Sequence, residues 1–300
     1  MRYTESTLST WCAPASNTEE ERIDNTIKMI RSAIDNWHEL DGLDIEVFVQ
    51  GSYANNTNVR TSSDVDVCIM LRNTFFSSYP DGRCREDYGF TPGSISFDEY
   101  KTRVYDALEH KFGREMINVG NKSIKIDSNT YHVQADAVIA FMLKDFRIIN
   151  STNSEHYIEG IRFYAKDETE VTNYPKDHIK NGKDKNKSTN HKYKKLVRIF
   201  KHIRNNMVSD GEINGDIISS FLVECLIWNV QNYIITGYST WTETVKQAII
   251  YLYNQIKENN HKEWGEVSEH LYLFRGHKWT DADAKDFLVT VWNYLGYGEG

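Results

Sequence analysis

Apolar residues recur near the N-terminus at helical intervals. Ile23, Ile27, Ile30, Ile34 and Trp37 are separated by 4, 3, 4 and 3 residues, which places them on one face of a helix. Ser16 and Glu19 read as a capping box at its start, and Gly42 as its stop, so a helix is predicted over 16–40. The period then shortens. Ile45 to Val49 and Val65 to Leu71 are β-rich runs, and Ser123–Ile126, Tyr131–Phe141 and 157–165 read as further strands, with a helix over 98–112 between them. From about residue 182 the pattern changes again. Asn181 to Asn190 is polar and lysine-rich and reads as a loop or lid. Beyond it Leu196, Phe200, Ile203 and Met207 form one helical face, 215–235 and 241–257 read as helices, and a last helix runs from Asp281, capped by Thr280, to Gly296. The chain thus divides into a mixed α/β part, 1–182, and an all-helical part, 183–300, an α+β fold with no internal repeat.

At 300 residues, 40% hydrophobic and 26% charged, the chain can bury a sizeable core and stay in solution. With 4 prolines and 17 glycines it is neither fibrous nor disordered in composition. No run of 18 apolar residues and no secretory leader is visible, and Cys12, Cys68, Cys84 and Cys225 are scattered with no C-x-x-C pair, so a reducing cytoplasm is expected. The net charge of -8 is unevenly spread: residues 176–204 hold eleven Lys/Arg against Asp177 and Asp184, leaving the remainder strongly acidic. That balance argues against long nucleic acid as a main partner. The block suits a smaller polyanion, or is simply a solvated lysine-rich loop.

Candidate chemistry centres on residues 50–71. Asp64 and Asp66 stand two apart at the start of a strand-like run, so both carboxylates share a face, while Val65, Val67, Ile69 and Leu71 take the other. Two like charges side by side are costly unless a cation holds them, and hard Mg²⁺ takes carboxylate and phosphate oxygens together. Alone, the pair equally describes two solvated aspartates at a strand edge. The preceding strand, however, ends in Gly51-Ser52, where a glycine permits close backbone approach and a hydroxyl with nearby amides can cradle phosphate. Asp136, in the otherwise apolar half of Tyr131–Ile139, is a third carboxylate that burial would require to be hydrogen-bonded or metal-bound. Asp127 competes for that role but lies in a turn-like Ile-Asp-Ser-Asn.

A strand ending in Gly-Ser, followed twelve residues later by D-x-D, matches the signature of the polymerase-β-type nucleotidyltransferase superfamily. Together with YHVQADAVIAF and KYKKLVRIFKHIRN, the segment GSYANNTNVRTSSDVDVCIM resembles the bacterial cGAS/DncV-like nucleotidyltransferases (CD-NTases) of CBASS anti-phage systems. The resemblance implies a bilobed enzyme, with a nucleotidyltransferase core over 1–182, a helical lobe over 183–300 and the active site in the cleft between them. It implies Mg²⁺-dependent (or Mn²⁺-dependent) joining of nucleoside triphosphates into a cyclic di- or trinucleotide second messenger. Asp64, Asp66 and Asp136 would be the metal-binding catalytic triad, and Gly51 and Ser52 would hold the donor triphosphate. On the helix 193–207, Lys194, Arg198 and Lys201 share a face opposite the Leu196/Phe200/Ile203 stripe. Lys201 would contact phosphate, and Ser220 would contact the nucleotide.

The vertebrate DNA-sensing relatives carry a zinc-binding insertion and basic grooves that are not visible in this sequence. His261 and His270 lie nine apart and read as surface residues, and the aromatic tail from Trp279 to Tyr297 as packing for the helical lobe. Gly300 invites comparison with family members whose terminal glycine is conjugated by E1/E2-like partners; an ordinary frayed end explains it as well. HORMA-type accessory proteins and a CBASS effector are further partners the family implies. Two other functions stay open: a nucleotidyltransferase acting on a separate acceptor (an RNA end, a protein or an antibiotic), and a catalytically silent nucleotide-binding module.

Overall fold

The computed structural model describes residues 1–14, 17–59, 64–147, 153–276 and 279–298, with the backbone alone at 17–19. The expected Ser16–Glu19 capping box and Gly300 lie outside the described residues. In chain order the first elements are α1 (Glu5–Thr10), α2 (Asn17–Asp35), β1 (Ile45–Gln50), α3 (Gly51–Ala54), β2 (Val65–Ser78) and α4 (Phe97–Phe112). Strands β3 (Ile117–Val119), β4 (Ile124–Ile126), β5 (Ala135–Asp145), β6 (Ile158–Tyr164) and β7 (Glu170–Asn173) follow. Helices complete the chain: α5 (Pro175–Ser188), α6 (Tyr193–Ser209), α7 (Ser220–Trp228), α8 (Asn232–Thr236), α9 (Trp241–Lys257) and α10 (Asp281–Tyr294).

Contacts divide these elements into two units. One holds Ser16–Ala54 and Thr61–Lys176; the other holds Met1–Ala15, Asn55–Arg60 and Asp177–Gly300. The sequence pattern places the change near 182, whereas the contacts place it at Lys176/Asp177 and draw two short N-terminal segments into the helical unit.

The first unit is built on a seven-stranded mixed sheet, ordered β1-β2-β5-β4-β3, with β6 and β7 continuing from the far end of β5. β2 and β5 pair in parallel; the other pairs are antiparallel. As the alternation predicts, Val65, Val67, Ile69 and Leu71 are buried, and so are Cys68 and Met70 on the opposite face. Ile23, Ile30 and Ile34 of α2 and Tyr100, Val104 and Leu108 of α4 complete this core. β5 begins at Ala135 rather than Tyr131. Asn129 Oδ1 accepts the Tyr131 and His132 amides there and holds that stretch as a turn.

In the helical unit, the Leu196/Phe200/Ile203/Met207 stripe packs with Leu8, α7, α9 and α10. Glu5 of α1 accepts the Trp241 and Thr242 amides that open α9. Trp279 and Tyr294 pack into this core, as expected. The stretch 181–190 does not form the expected loop: α5 runs through it to Ser188. Pro175 opens that helix with a φ suited to its first turn. Its inner face is polar, and bonded: Asn181 Nδ2 donates to the Val267 and Ser268 carbonyls, and Lys185 Nζ to those of Trp228 and Val230. An apolar period therefore could not reveal it. The helix expected over 215–235 is two, interrupted where Asn229 Nδ2 caps Cys225 O and reaches Gly265 O. His261 is buried against Asp281 rather than on the surface, and His270 pairs with Asp177. Among the described residues no helix is long and apolar enough to cross a membrane.

Ile69 sits fully buried in the central strand. Ile69→Ala is expected to lower unfolding free energy by about 2–5 kcal/mol, read by urea titration. A smaller loss would mean the core refills the cavity.

Candidate active site

The β2/β5 register decides where the carboxylates lie. Asp66 is the direct partner of Asp136 across the parallel pair, so the two side chains emerge at one height on one face. Asp64 stands one residue before β2, at the same end of the sheet. Burial and the Asp136 charge raise the Asp64 carboxyl above its ordinary value, with Lys125 opposing in part. Lys125 faces Asp136 from β4 in register, and Ser123 Oγ donates to Asp136 Oδ1 at 3.0 Å. Asp127 directly follows β4, and its carboxylate accepts from Asn118 Nδ2 at 3.3 Å.

On the other side of β2, Gln50 is the register partner of Asp66, and the chain turns at Gly51 with φ 68°. A side-chain carbon added at Gly51 would lie 2.0 Å from Asp66 Oδ2. Only glycine allows this turn and this approach together. Ser52 follows within α3.

Lys201 and Ser220 belong to the helical unit. Lys201 is buried, and its Nζ donates to Thr57 Oγ1 at 3.1 Å and Glu224 Oε2 at 2.5 Å. Lys194 and Arg198 are buried as well, so this side of α6 is a second interior face rather than an open cationic one. Ser220 is the first residue of α7, and the capping hydroxyl is that of Ser219, which accepts the Leu222 amide.

A model of the nucleotidyltransferase domain matches residues 30–131, and one of the cGAS/DncV-like nucleotidyltransferase C-terminal helical domain matches 180–296. The cyclic dipyrimidine nucleotide synthase CdnE of Cecembia lonarensis is 44% identical over 98% of this chain and 99% of its own. This chain belongs to the cGAS/DncV-like nucleotidyltransferases, the CD-NTases. The cyclic dipurine nucleotide synthase of Elizabethkingia meningoseptica is 34% identical over 99% of this CD-NTase and 100% of its own length. The solved structure of the Rhodothermus marinus CdnE c-UMP-AMP synthase with Apcpp and Upnpp is 30% identical, with a TM-score of 0.86 over 99% of this chain and 98% of that one.

The superfamily uses a divalent metal, and a cation held by Asp64, Asp66 and Asp136 would meet only oxygen donors, which suits a hard one. Among the described residues no three His, Cys, Asp or Glu stand close enough together to hold a metal ion as they are placed. Ser123, Lys125, Thr57 and Glu224 were not singled out by the sequence pattern. The first two sit in a strand-like run whose register with Asp136 only the sheet reveals, and the last two meet across 167 residues.

Two variants test this geometry. Gly51→Ala is expected to cost about 1–2 kcal/mol from the left-handed backbone alone, and to lower turnover by displacing Asp66; urea titration and initial rates measure both. Because a raised acid is tolerated best when protonated, Asp64 lowers stability at neutral pH, a penalty that fades as pH falls from its raised folded value to the ordinary aspartate value and is absent below it. Asp64→Asn should therefore raise Tm at pH 7, with the gain shrinking toward pH 4. An equal gain at both pH values would remove the charge argument.

Proposed function

We propose that this CD-NTase joins nucleoside triphosphates into a cyclic di- or trinucleotide, with Asp64, Asp66 and Asp136 holding Mg²⁺, for which Mn²⁺ can substitute. The observation that carries the reading is the parallel pairing of Asp66 with Asp136 above Gly51. When bound, the metal lowers the pKa of the attacking ribose hydroxyl and stabilises charge on the phosphates. Ser123 orients Asp136 by binding Oδ1, which leaves Oδ2 to take the hydroxyl proton. The amides that open α3 and the Ser52 hydroxyl hold the donor triphosphate. Lys201, with two ammonium hydrogens committed, has a third for a phosphate oxygen, and Ser220 contacts the nucleotide. With 181–190 in helix, no lid is assigned to that stretch.

The relatives named cyclic dipyrimidine nucleotide synthases favour a pyrimidine dinucleotide as product. In this reading the product acts in the cytoplasm as the second messenger of a CBASS anti-phage system and is received by an effector protein.

Incubation with all four triphosphates and Mg²⁺, followed by phosphatase treatment and mass spectrometry, should give a phosphatase-resistant cyclic product. EDTA should abolish it, and Asp66→Asn and Asp136→Asn should lower it by at least about a hundredfold. Product only on addition of a separate acceptor would overturn cyclisation, and no product under any condition would leave a silent nucleotide-binding module.

A further inference from the structure

The segment between Gly51-Ser52 and Asp64 does not belong to the sheet unit. Residues 55–60 are counted by their contacts with the helical unit, and three polar side chains there, Asn55, Thr57 and Asn58, are buried. A buried irregular segment needs a partner for each polar group. Two cations of α6, three residues apart, supply much of that need. Arg198 Nη1 donates to Asn56 O at 2.6 Å, at a residue with φ 51°, while Arg198 Nε donates to Cys12 O at 2.8 Å. Lys201 Nζ reaches Thr57 Oγ1 at 3.1 Å.

Glu224 of α7 closes the arrangement. Its Oε2 accepts from Lys201 at 2.5 Å and from the Thr57 hydroxyl at 2.8 Å, and its Oε1 lies 3.2 Å from His178 Nε2. Burial alone would push this carboxyl up, but Lys201 and His178 outweigh it and hold the acid ionised. The Thr57 hydroxyl is thus fixed from both directions, accepting from the lysine and donating to the glutamate. Asn56 and Thr57 follow Ser52 by four and five residues, with α3 between.

We propose that Glu224, acting through Lys201 and Thr57, is a positioning residue for nucleotidyl transfer, and that this buried ion network sets the loop that carries Gly51-Ser52. The role rests on the function proposed above. It differs from a merely structural one in a simple way: releasing Thr57 should misplace the phosphate-holding turn while leaving the helical core folded.

Thr57→Val keeps the volume and removes the hydroxyl; Thr57→Ser restores the hydroxyl. In the full chain, Thr57→Val should speed amide hydrogen exchange across 53–58 and lower kcat about tenfold, with KM changed less than kcat. Thr57→Ser should recover both. Glu224→Gln, which keeps the shape and removes the charge, should repeat the exchange effect more strongly. Unchanged exchange in Thr57→Val overturns the network, and faster exchange with unchanged kcat overturns the positioning role. The exchange arm needs no activity, so a wild-type chain that made no cyclic product would remove the functional reading while the network was still judged.

Discussion

Asp66 and Asp136 are register partners on parallel strands, which brings two negative charges to one height on one face of the sheet. Charges this close repel, and the repulsion is strongest where water is scarce. The neighbouring residues are those that such a pair requires. Lys125 faces Asp136 from the next strand, Ser123 binds one of its oxygens, and Gly51 leaves space where any side chain would strike Asp66. The sheet itself absorbs the remaining strain, because β2 and β5 are buried on both faces beyond the aspartates. Without that apolar support the two strands could relieve the repulsion by fraying apart.

The turn that serves these carboxylates is tied elsewhere. After α3 the chain passes into the helical unit, where Arg198, Lys201 and Glu224 hold Asn56 and Thr57. A buried ion pair is a poor source of stability, since desolvation consumes most of its attraction. Its strength lies in direction: an ammonium, a carboxylate and a hydroxyl fit together in few ways. Such a group makes sense where a short irregular segment must occupy one position and has mostly polar side chains to anchor it.

Much of this was legible from residue order alone. The isoleucine spacing in α2, the alternation from Val65 to Leu71 and the Thr280 cap of α10 are local signals, and each corresponds to an element of the structure. Gly51, Asp64, Asp66 and Asp136 could be named because their spacing and flanking apolar runs are also local. The α5 helix was not legible, because its inner face is buried Gly182 flanked by half-buried Asn181 and Lys185, both bonded to distant carbonyls. Nor was the company kept by Lys201. A lysine on the polar side of an amphipathic helix looks solvated until a residue such as Glu224 is placed beside it by the packing of α6 on α7.

The same blindness to distant partners affects the charge block at 176–204. Read as a sequence it is either a site for a small polyanion or a solvated lysine-rich loop. In the fold many of these cations already have partners: Lys176 bonds Glu46 and Glu159, Lys180 bonds Asp184, and Lys185, Lys192, Arg198 and Arg204 donate to backbone carbonyls. Burial even pushes the Lys185 ammonium down to about 8. Most of these bonds close carbonyls that the helix packing would otherwise leave unmet, so the lysines and arginines act as donors before they act as charges. A triphosphate bound by this chain would meet few uncommitted cations from that block. In the proposed reading, its neutralisation falls mainly to the metal held by the three aspartates. The carboxylate row, not the lysine run, is then where the electrostatics of the reaction are decided.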